Sequence, residues 1–402
     1  MTRFPLKSTL ALLGLGLALA ASPARADLSV FTNASTGFDV SGNGQFAVLG
    51  SSGSSGGSEV FLWSAATNSI TGIGGFTGSS GKVLISGDGS TIAASGKDAN
   101  NNRVSAIYSV GTGIWTLVPG LGSASGGVAG SSYALSGDGR YVGGSSYKTS
   151  AGAGSHGFVY DTVTSTLTEV STTQSRITGI SSGAQTLVGA TGSGQNGALW
   201  TRNGDGTYTQ TTLLNPDAPA SKLSLVSSGL SDNGLWAAGA SFNTANPYRV
   251  NATTGQVQFF DKLGFAANGN SVATPAAISA DGNTIVGIHM PSGALLSDSY
   301  GFIWKADGTV NGNTLGGTVM SFDDYLAGYG IDLDNHYNFV SIIGMSNDAS
   351  VFSGIAKDNL TGGQVAFVVS VPVPEPSQYV MLAWGLTLLV GVVRRRRKAL
   401  SA

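Results

Sequence analysis

The sequence predicts an all-β protein built from repeats: a β-propeller of seven blades, each with four short strands. A β-solenoid is the alternative, although solenoids repeat in shorter coils. Three observations lead there. Glycine supplies 61 of 402 residues and charged residues only 10%, yet 41% of the chain is hydrophobic. That balance is too apolar for a disordered chain and too rich in turn formers for a helical one. One short pattern recurs seven times. A third strand ending in an aromatic or apolar triplet follows it. There is no cysteine, so disulfides and thiolate chemistry are excluded, and stability must come from a core spread over many strands.

The N-terminus reads as an address. Arg3 and Lys7 precede an apolar run from Leu10 to Ala21 that ends in Ser22-Pro23-Ala24-Arg25-Ala26. A positive start, a short apolar stretch and small residues at Ala24 and Ala26 form a secretory signal, cleaved after residue 26 by signal peptidase. The run is about 12 residues, against roughly 20 for a membrane span.

Residues 27–371 hold the repeats. The pattern is an aliphatic residue, Ser, a small or polar pair, usually Gly, then an apolar run that usually ends in Gly. It begins at Val40-Ser41, Ile85-Ser86, Leu135-Ser136, Ile180-Ser181, Leu230-Ser231, Ile278-Ser279 and Met345-Ser346. The serines are 45, 50, 45, 50, 48 and 67 residues apart. Asp-Gly or Asn-Gly after the serine predicts a tight two-residue hairpin turn. The return strand is rich in β-formers, as in Tyr141-Val142-Gly143. Eight residues after the serine, glycine at 144, 189, 239, 287 and 354 predicts a close approach of two backbones. Leu49 and Ala94 break this rule in the first two copies. A third strand is marked by Phe61-Leu62-Trp63, Phe158-Val159-Tyr160, Ala198-Leu199-Trp200, Phe302-Ile303-Trp304 and Phe367-Val368-Val369. A fourth is marked by Ser69 to Thr71, Thr166 to Val170 and Gln256 to Phe260. Four strands in 45–50 residues is the length of a propeller blade. Leu28 to Thr32 is expected to close the ring beside Val365 to Val371.

The long last interval contains a helix at about 320–330. Ser321-Phe322-Asp323-Asp324 is a capping start, and Phe322, Tyr325, Leu326 and Tyr329 share helical spacing. An insertion packed over one end of the ring is expected, with a ligand gate as the other reading.

Residues 372–402 form a second address. Prolines at 372, 374 and 376 disfavour helix. Tyr379 to Val393 is uncharged and apolar, and Arg394, Arg395, Arg396, Arg397 and Lys398 follow. At 1.5 Å per residue this segment spans about 22 Å, short of the roughly 30 Å hydrocarbon core. It predicts a transient inner-membrane stop with the arginines held in the cytoplasm.

Val373-Pro374-Glu375-Pro376-Ser377, the short apolar segment and the arginine cluster resemble the PEP-CTERM sorting tail. The resemblance covers about the last 30 residues. It implies processing by an exosortase near Pro374, Glu375 and Pro376, and a Gram-negative host that makes extracellular polysaccharide. A single-pass tail anchor with a proline-rich stalk is the alternative. The central repeats resemble the HAF family of extracellular repeats over about residues 37–371. That family is defined by its repeat and by secretion and brings no agreed activity.

Processing would remove Arg3, Lys7, Arg25 and the five basic residues from Arg394 to Lys398. Twelve of 20 basic residues then remain against 22 acids, a net charge of about −10. Nucleic acid, which needs a basic footprint, is therefore not an expected partner.

Reactive constellations are scarce. His156, His289 and His336 show no ligand spacing, so zinc and a His-based triad are not expected. Asp332, Asp334, Asn335 and His336 supply oxygens for a calcium loop but lack its closing Glu. Asp88, Asp138, Asp281 and Asp348 sit beside turn glycines and are explained by local hydrogen bonds. Only Glu59, Glu169 and Glu375 are glutamates. Trp115, Trp236 and Tyr133 are candidate sugar-stacking residues. No cofactor and no metal is expected.

The function expected is a non-catalytic structural or binding protein of an extracellular polysaccharide matrix, as in a biofilm. The first alternative is a polysaccharide-modifying enzyme with loop aspartates at the channel; paired carboxylates with raised pKa in one pocket would favour it. The second is a protein-interaction platform, favoured by a large apolar patch on the ring face.

Overall fold

The computed structural model describes residues 26–52, 58–74, 82–97, 103–122, 130–148, 154–193, 195–224, 226–240, 246–261, 272–291, 298–310, 314–331 and 336–372. Ala24, the Pro374, Glu375 and Pro376 motif, Tyr379 to Val393 and Arg394 to Arg397 lie outside these residues. Among the described residues no helix is long and apolar enough to cross a membrane.

Strand β1 (Asp27–Phe31) comes first. Repeat one holds β2 (Thr36–Val40), β3 (Phe46–Ser52), β4 (Ser58–Ser64) and β5 (Ser69–Gly72). Repeat two holds β6 (Leu84–Ile85), β7 (Thr91–Lys97), β8 (Arg103–Ser109) and β9 (Ile114–Val118). Repeat three holds β10 (Gly130–Leu135), β11 (Tyr141–Tyr147), β12 (Ser155–Asp161) and the start of β13 (Thr166–Ile180). Repeat four takes the end of β13, then β14 (Thr186–Thr191), β15 (Asn196–Arg202) and β16 (Tyr208–Thr212). A small hairpin, β17 (Leu214–Asn215) and β18 (Ala218–Lys222), precedes repeat five. That repeat holds β19 (Val226–Leu230), β20 (Trp236–Ala240), β21 (Pro247–Asn251) and β22 (Val257–Phe259). Repeat six holds β23 (Val272–Ile278), β24 (Thr284–Met290), β25 (Tyr300–Val310) and β26 (Thr314–Ser321), and helix α1 (Phe322–Ala327) follows. Repeat seven holds β27 (Tyr337–Met345), β28 (Val351–Asp358) and β29 (Gln364–Ser370).

Strands within a repeat pair antiparallel, and the first strands of neighbouring repeats stand side by side around a common axis. The result is a β-propeller, not a solenoid. Counted among the described residues as hydrogen-bonded sheets of four or more strands, its blades number five rather than the seven expected. Two sheets each carry two repeats. In the first, the 15-residue β13 is the outer strand of repeat three and the inner strand of repeat four, giving seven strands. In the second, a parallel bridge between Phe259 and Thr314 joins the outer strands of repeats five and six into eight. The ring closes as expected: β1 pairs with β29 from Asp27–Ser370 to Phe31–Ala366.

The recurring serine is a hydrogen-bond device. Its backbone N–H donates to the carbonyl five residues on, and its own carbonyl accepts the N–H three residues on, in all seven copies. Its hydroxyl then accepts the N–H that the carbonyl cannot take. Ser41 accepts from Phe46, Ser86 from Thr91, Ser136 from Tyr141 and Ser181 from Thr186, and Ser231, Ser279 and Ser346 repeat the contact with Trp236, Thr284 and Val351. The same hydroxyl donates to the Asp or Asn two residues on, except at Ser181, where that residue is Gly183. The turn differs from the two-residue form expected. In six copies only the residue three after the serine has positive φ, glycine in five and Ala349 (55°) in one; the Ser181 copy alone has two, Gly183 (75°) and Ala184 (51°).

The second repeated glycine faces a bulge. Gly144, Gly189, Gly287 and Gly354 pair opposite Ser132, Ile177, Pro275 and Ile342, where the inner strand slips by one residue. A Cβ on Gly354 would sit inside the radius of the Ser341 carbonyl oxygen. In the first copy Leu49 is tolerated because its partner is Gly37.

Apolar clusters fill the space between neighbouring repeats. The largest joins repeats six and seven through Phe339, Phe352 and Phe367. Helix α1 is capped at Ser321, whose hydroxyl accepts the Asp324 N–H at 3.1 Å. The helix packs its apolar side into this cluster. Phe322, Tyr325 and Leu326 are buried in this cluster, with the Phe322 ring 5.2 Å from Phe352. Its apolar stripe explains that position.

Candidate functional site

The inner strands and turns of the ring bring three half-buried charges together. A cavity of about 90 Å³ is lined by the first strands and turns of the repeats, including Asp39, Lys82, Thr178, Ser228, Asp232 and Asn347. The Asp39 carboxylate takes the N–H of Val40 at 2.9 Å and of Ile85 at 3.0 Å, tying repeat one to repeat two. Lys82 Nζ crosses to the Ser227 carbonyl at 2.8 Å in repeat five. Asp39 and Lys82 are half-buried and line the cavity. Burial pushes the Asp39 carboxyl up to about 7, against the two amides; Asp232 adds to the rise and Lys82 opposes it. Burial pushes the Lys82 ammonium down, and Asp39 partly restores it.

Asp232 lies where the turns meet. Its Oδ2 accepts from Asn347 Nδ2 at 2.9 Å. Any Cβ on Gly42, Gly87 or Gly137 would collide with its carboxylate, so three glycines make room for one side chain. Burial pushes its pKa up, Asn347 pulls it down, and Asp138 and Asp88 raise it further. Backbone bonds link these turns: Ala280 N–H to Asn347, Asn347 N–H to Gly42, Asn43 N–H to Gly87 and Gly87 N–H to Gly137, at 2.8–3.0 Å. The space suits a few waters or a small ion, far below the roughly 300 Å³ lower bound of small-ligand pockets.

Sequence reasoning missed these residues. The signal was departure from the repeat. The residue after the serine is Gly, Gly, Gly, Ser, Asp, Ala and Asn in the seven copies. Asp39 stands two places before its serine, and Lys82 four places before its own, where every other copy is uncharged.

The expected aspartates lie in the turns. Asp88, Asp138, Asp281 and Asp348 each accept from their serine hydroxyl and from the N–H two residues on. Burial raises the Asp88, Asp281 and Asp348 carboxyls, but these bonds outweigh it and hold them below the usual range.

His156 Nδ1 meets Glu169 Oε1 at 2.6 Å, and Lys148 meets Oε2 at 2.7 Å. His289 is buried in β24. His336 lies 3.3 Å from Asp358 and stacks on Tyr337; Asp332, Asp334 and Asn335 are outside the described residues. Among the described residues no cluster of three His, Cys, Asp or Glu side chains could hold a metal ion. The aromatic candidates are occupied. Trp115 donates to the Ile73 carbonyl at 2.8 Å and packs on Tyr108. Arg249 covers Trp236 at 4.2 Å, and Arg176 covers Tyr133 at 4.7 Å.

A second cavity, of about 290 Å³, lies where repeat three meets repeat four. Arg140, Asp161, Thr166, Thr168, Arg202 and Tyr208 line it. Arg140 and Asp161 pair through two bonds, at 3.0 and 2.7 Å. The Arg140 bond, against a smaller effect of burial, holds the Asp161 carboxyl down at about 2. The Tyr208 hydroxyl donates to the Ala184 carbonyl at 3.1 Å.

No family model and no curated protein matches this sequence. Solved structures do resemble it. A chain of the mitotic checkpoint complex is 13% identical over 92% of this chain and 95% of that one, with a TM-score of 0.50. A puromycin hydrolase mutant is 11% identical over 83% of this chain and 53% of its own, also at 0.50. The β-propeller domain of the trilobed protease from Pyrococcus furiosus is 11% identical over 86% and 95%, at 0.48. At these identities the likeness concerns the fold alone and does not decide whether this protein is an enzyme.

Proposed function

We propose that the protein is a secreted, non-catalytic structural or binding component of an extracellular polysaccharide matrix. In this reading signal peptidase cleaves after Ala26. The C-terminal segment then holds the chain briefly in the inner membrane of a Gram-negative cell, and an exosortase releases it at Pro374-Glu375-Pro376. One observation carries the non-catalytic part. The recurring Ser and Asp side chains, the most conspicuous polar groups of the repeat, spend their hydrogen bonds on their own turns. A side chain engaged in this way is a scaffold element, and a surface of loops and hydroxyls suits binding.

The axial pocket favours a second reading. Asp39 and Asp232 both have raised pKa and line one cavity, the arrangement expected of a carboxylate pair. It supports an enzymatic reading with aspartates other than the turn set, in a cavity that admits only a small reacting group.

The deciding experiment mixes the protein with the polysaccharide of its own host and follows binding and polymer size. Binding with unchanged size supports the matrix role. A fall in size that disappears in Asp39→Asn replaces it with the enzymatic reading. Neither binding nor cleavage removes both.

A further inference from the structure

We infer that the cleft between repeats three and four is a saccharide site for a carboxylated sugar residue, with Arg202 as its anchor. This rests on the polysaccharide reading above and names the sugar class and the place.

The argument starts from charge pairing. Two arginines line the cleft. Arg140 is satisfied: both its bonds go to Asp161, and its guanidinium lies 5.0 Å over the Tyr141 ring. Asp161 is equally occupied, since Oδ1 also accepts the N–H groups of Val163 and Thr164. Arg202 has no side-chain hydrogen-bond or ion-pair partner among the described residues. It is half-buried, at the end of β15, with Tyr208 opposite it in the register. A planar fork of donors without an acid, in a chain with more acids than bases, is a vacancy for a carboxylate.

The rest of the lining selects the carrier. Thr166 and Thr168 alternate on one face of β13, with hydroxyls roughly 6.7 Å apart along the strand. Thr166 takes a bond from Thr164 at 3.0 Å, whereas the Thr168 hydroxyl has no partner among the described residues. Hydroxyls both donate and accept, as sugar hydroxyls do. Tyr208, held by its bond to Ala184, contributes a fixed ring. A volume of about 290 Å³ accommodates a pyranose ring and would leave a lone phosphate loose. An acidic peptide offers carboxylates without the hydroxyls this wall would match.

The test measures binding of the full chain to a tetramer of β-1,4-linked glucuronic acid and to cellotetraose, which differ only at the C6 carboxylate. The wild type should prefer the uronate by about tenfold or more, the worth of one charge-assisted bidentate contact. Arg202→Gln should erase that preference with thermal stability unchanged. Thr168→Val should weaken both oligomers. Lys222→Gln, on β18, should change nothing. Equal affinity of the wild type for the two oligomers would overturn the inference. So would an unaltered preference in Arg202→Gln, or displacement of the uronate by inorganic phosphate or tetra-aspartate at equal concentration. Binding of the host polymer unaffected by Arg202→Gln would sink this site and leave the matrix role standing. Failure to bind polymer and oligomer alike would sink both.

Discussion

Replacing Ser279 with alanine tests what the repeat serine is for. Ser279 is 3% exposed, and its hydroxyl accepts the buried Thr284 N–H at 2.9 Å and donates to Asp281 at 2.6 Å. Alanine keeps the Cβ and strands the amide. A buried amide without an acceptor costs about 1–3 kcal/mol, and losing one donor to a carboxylate that faces solvent adds about 1, so Ser279→Ala should cost about 2–4 kcal/mol. Ser181 is the internal control, because it accepts from Thr186 at 2.9 Å but has only Gly183 where the carboxylate would be. Ser181→Ala should cost about 1–2 kcal/mol. Asp281→Asn should cost under about 1 kcal/mol at neutral pH, since an amide oxygen still accepts the hydroxyl; Asn43 and Asn233 already do so in their own turns. Urea unfolding followed by tryptophan fluorescence gives the differences, provided the slope is unchanged. A loss below about 0.5 kcal/mol in Ser279→Ala would refute the account, because that is the range of an inert surface change. Equal losses at Ser279 and Ser181 would refute the part assigned to the aspartate.

Gly354→Ala should cost about 1–3 kcal/mol or more, measured by thermal unfolding, because its Cβ must push the Ser341 carbonyl away from the bulge. Asp39→Asn should flatten part of the pH dependence of stability. The folded carboxyl, raised to about 7, keeps its proton where the unfolded one has lost it; wild-type stability therefore falls as pH rises from about 4 to about 7, and this fall should shrink in the variant. Deleting Asp27–Phe31 should open the ring and expose the edge of β29, giving lower stability and concentration-dependent association by size-exclusion chromatography. In its host, Glu375→Ala should leave the protein in the membrane fraction, whereas the wild type should lose both ends, as mass spectrometry of the secreted form would show.

The sequence by itself determined the repeat, its strands and its closure. The seven serine turns, the third-strand triplets and the pairing of β1 with β29 could be read because each depends on a local pattern that recurs. Turn chemistry and period-two burial are written into five or six adjacent residues, and seven copies average out the noise. The same locality explains why the turn aspartates were read correctly as scaffold. Only the tertiary structure decided how the strands are grouped into sheets, since whether β13 stops or runs on, and whether Phe259 reaches Thr314, depends on neighbours far along the chain. It also decided which residues α1 packs against, Phe339, Phe352 and Phe367 among them. The candidate sites lie beyond local patterns for the same reason. Asp39, Lys82 and Asp232 come from three different repeats, and Arg202 and Thr168 line one cavity from two repeats. Each is a single departure in one copy, and its meaning arises only where the ring brings that copy against another.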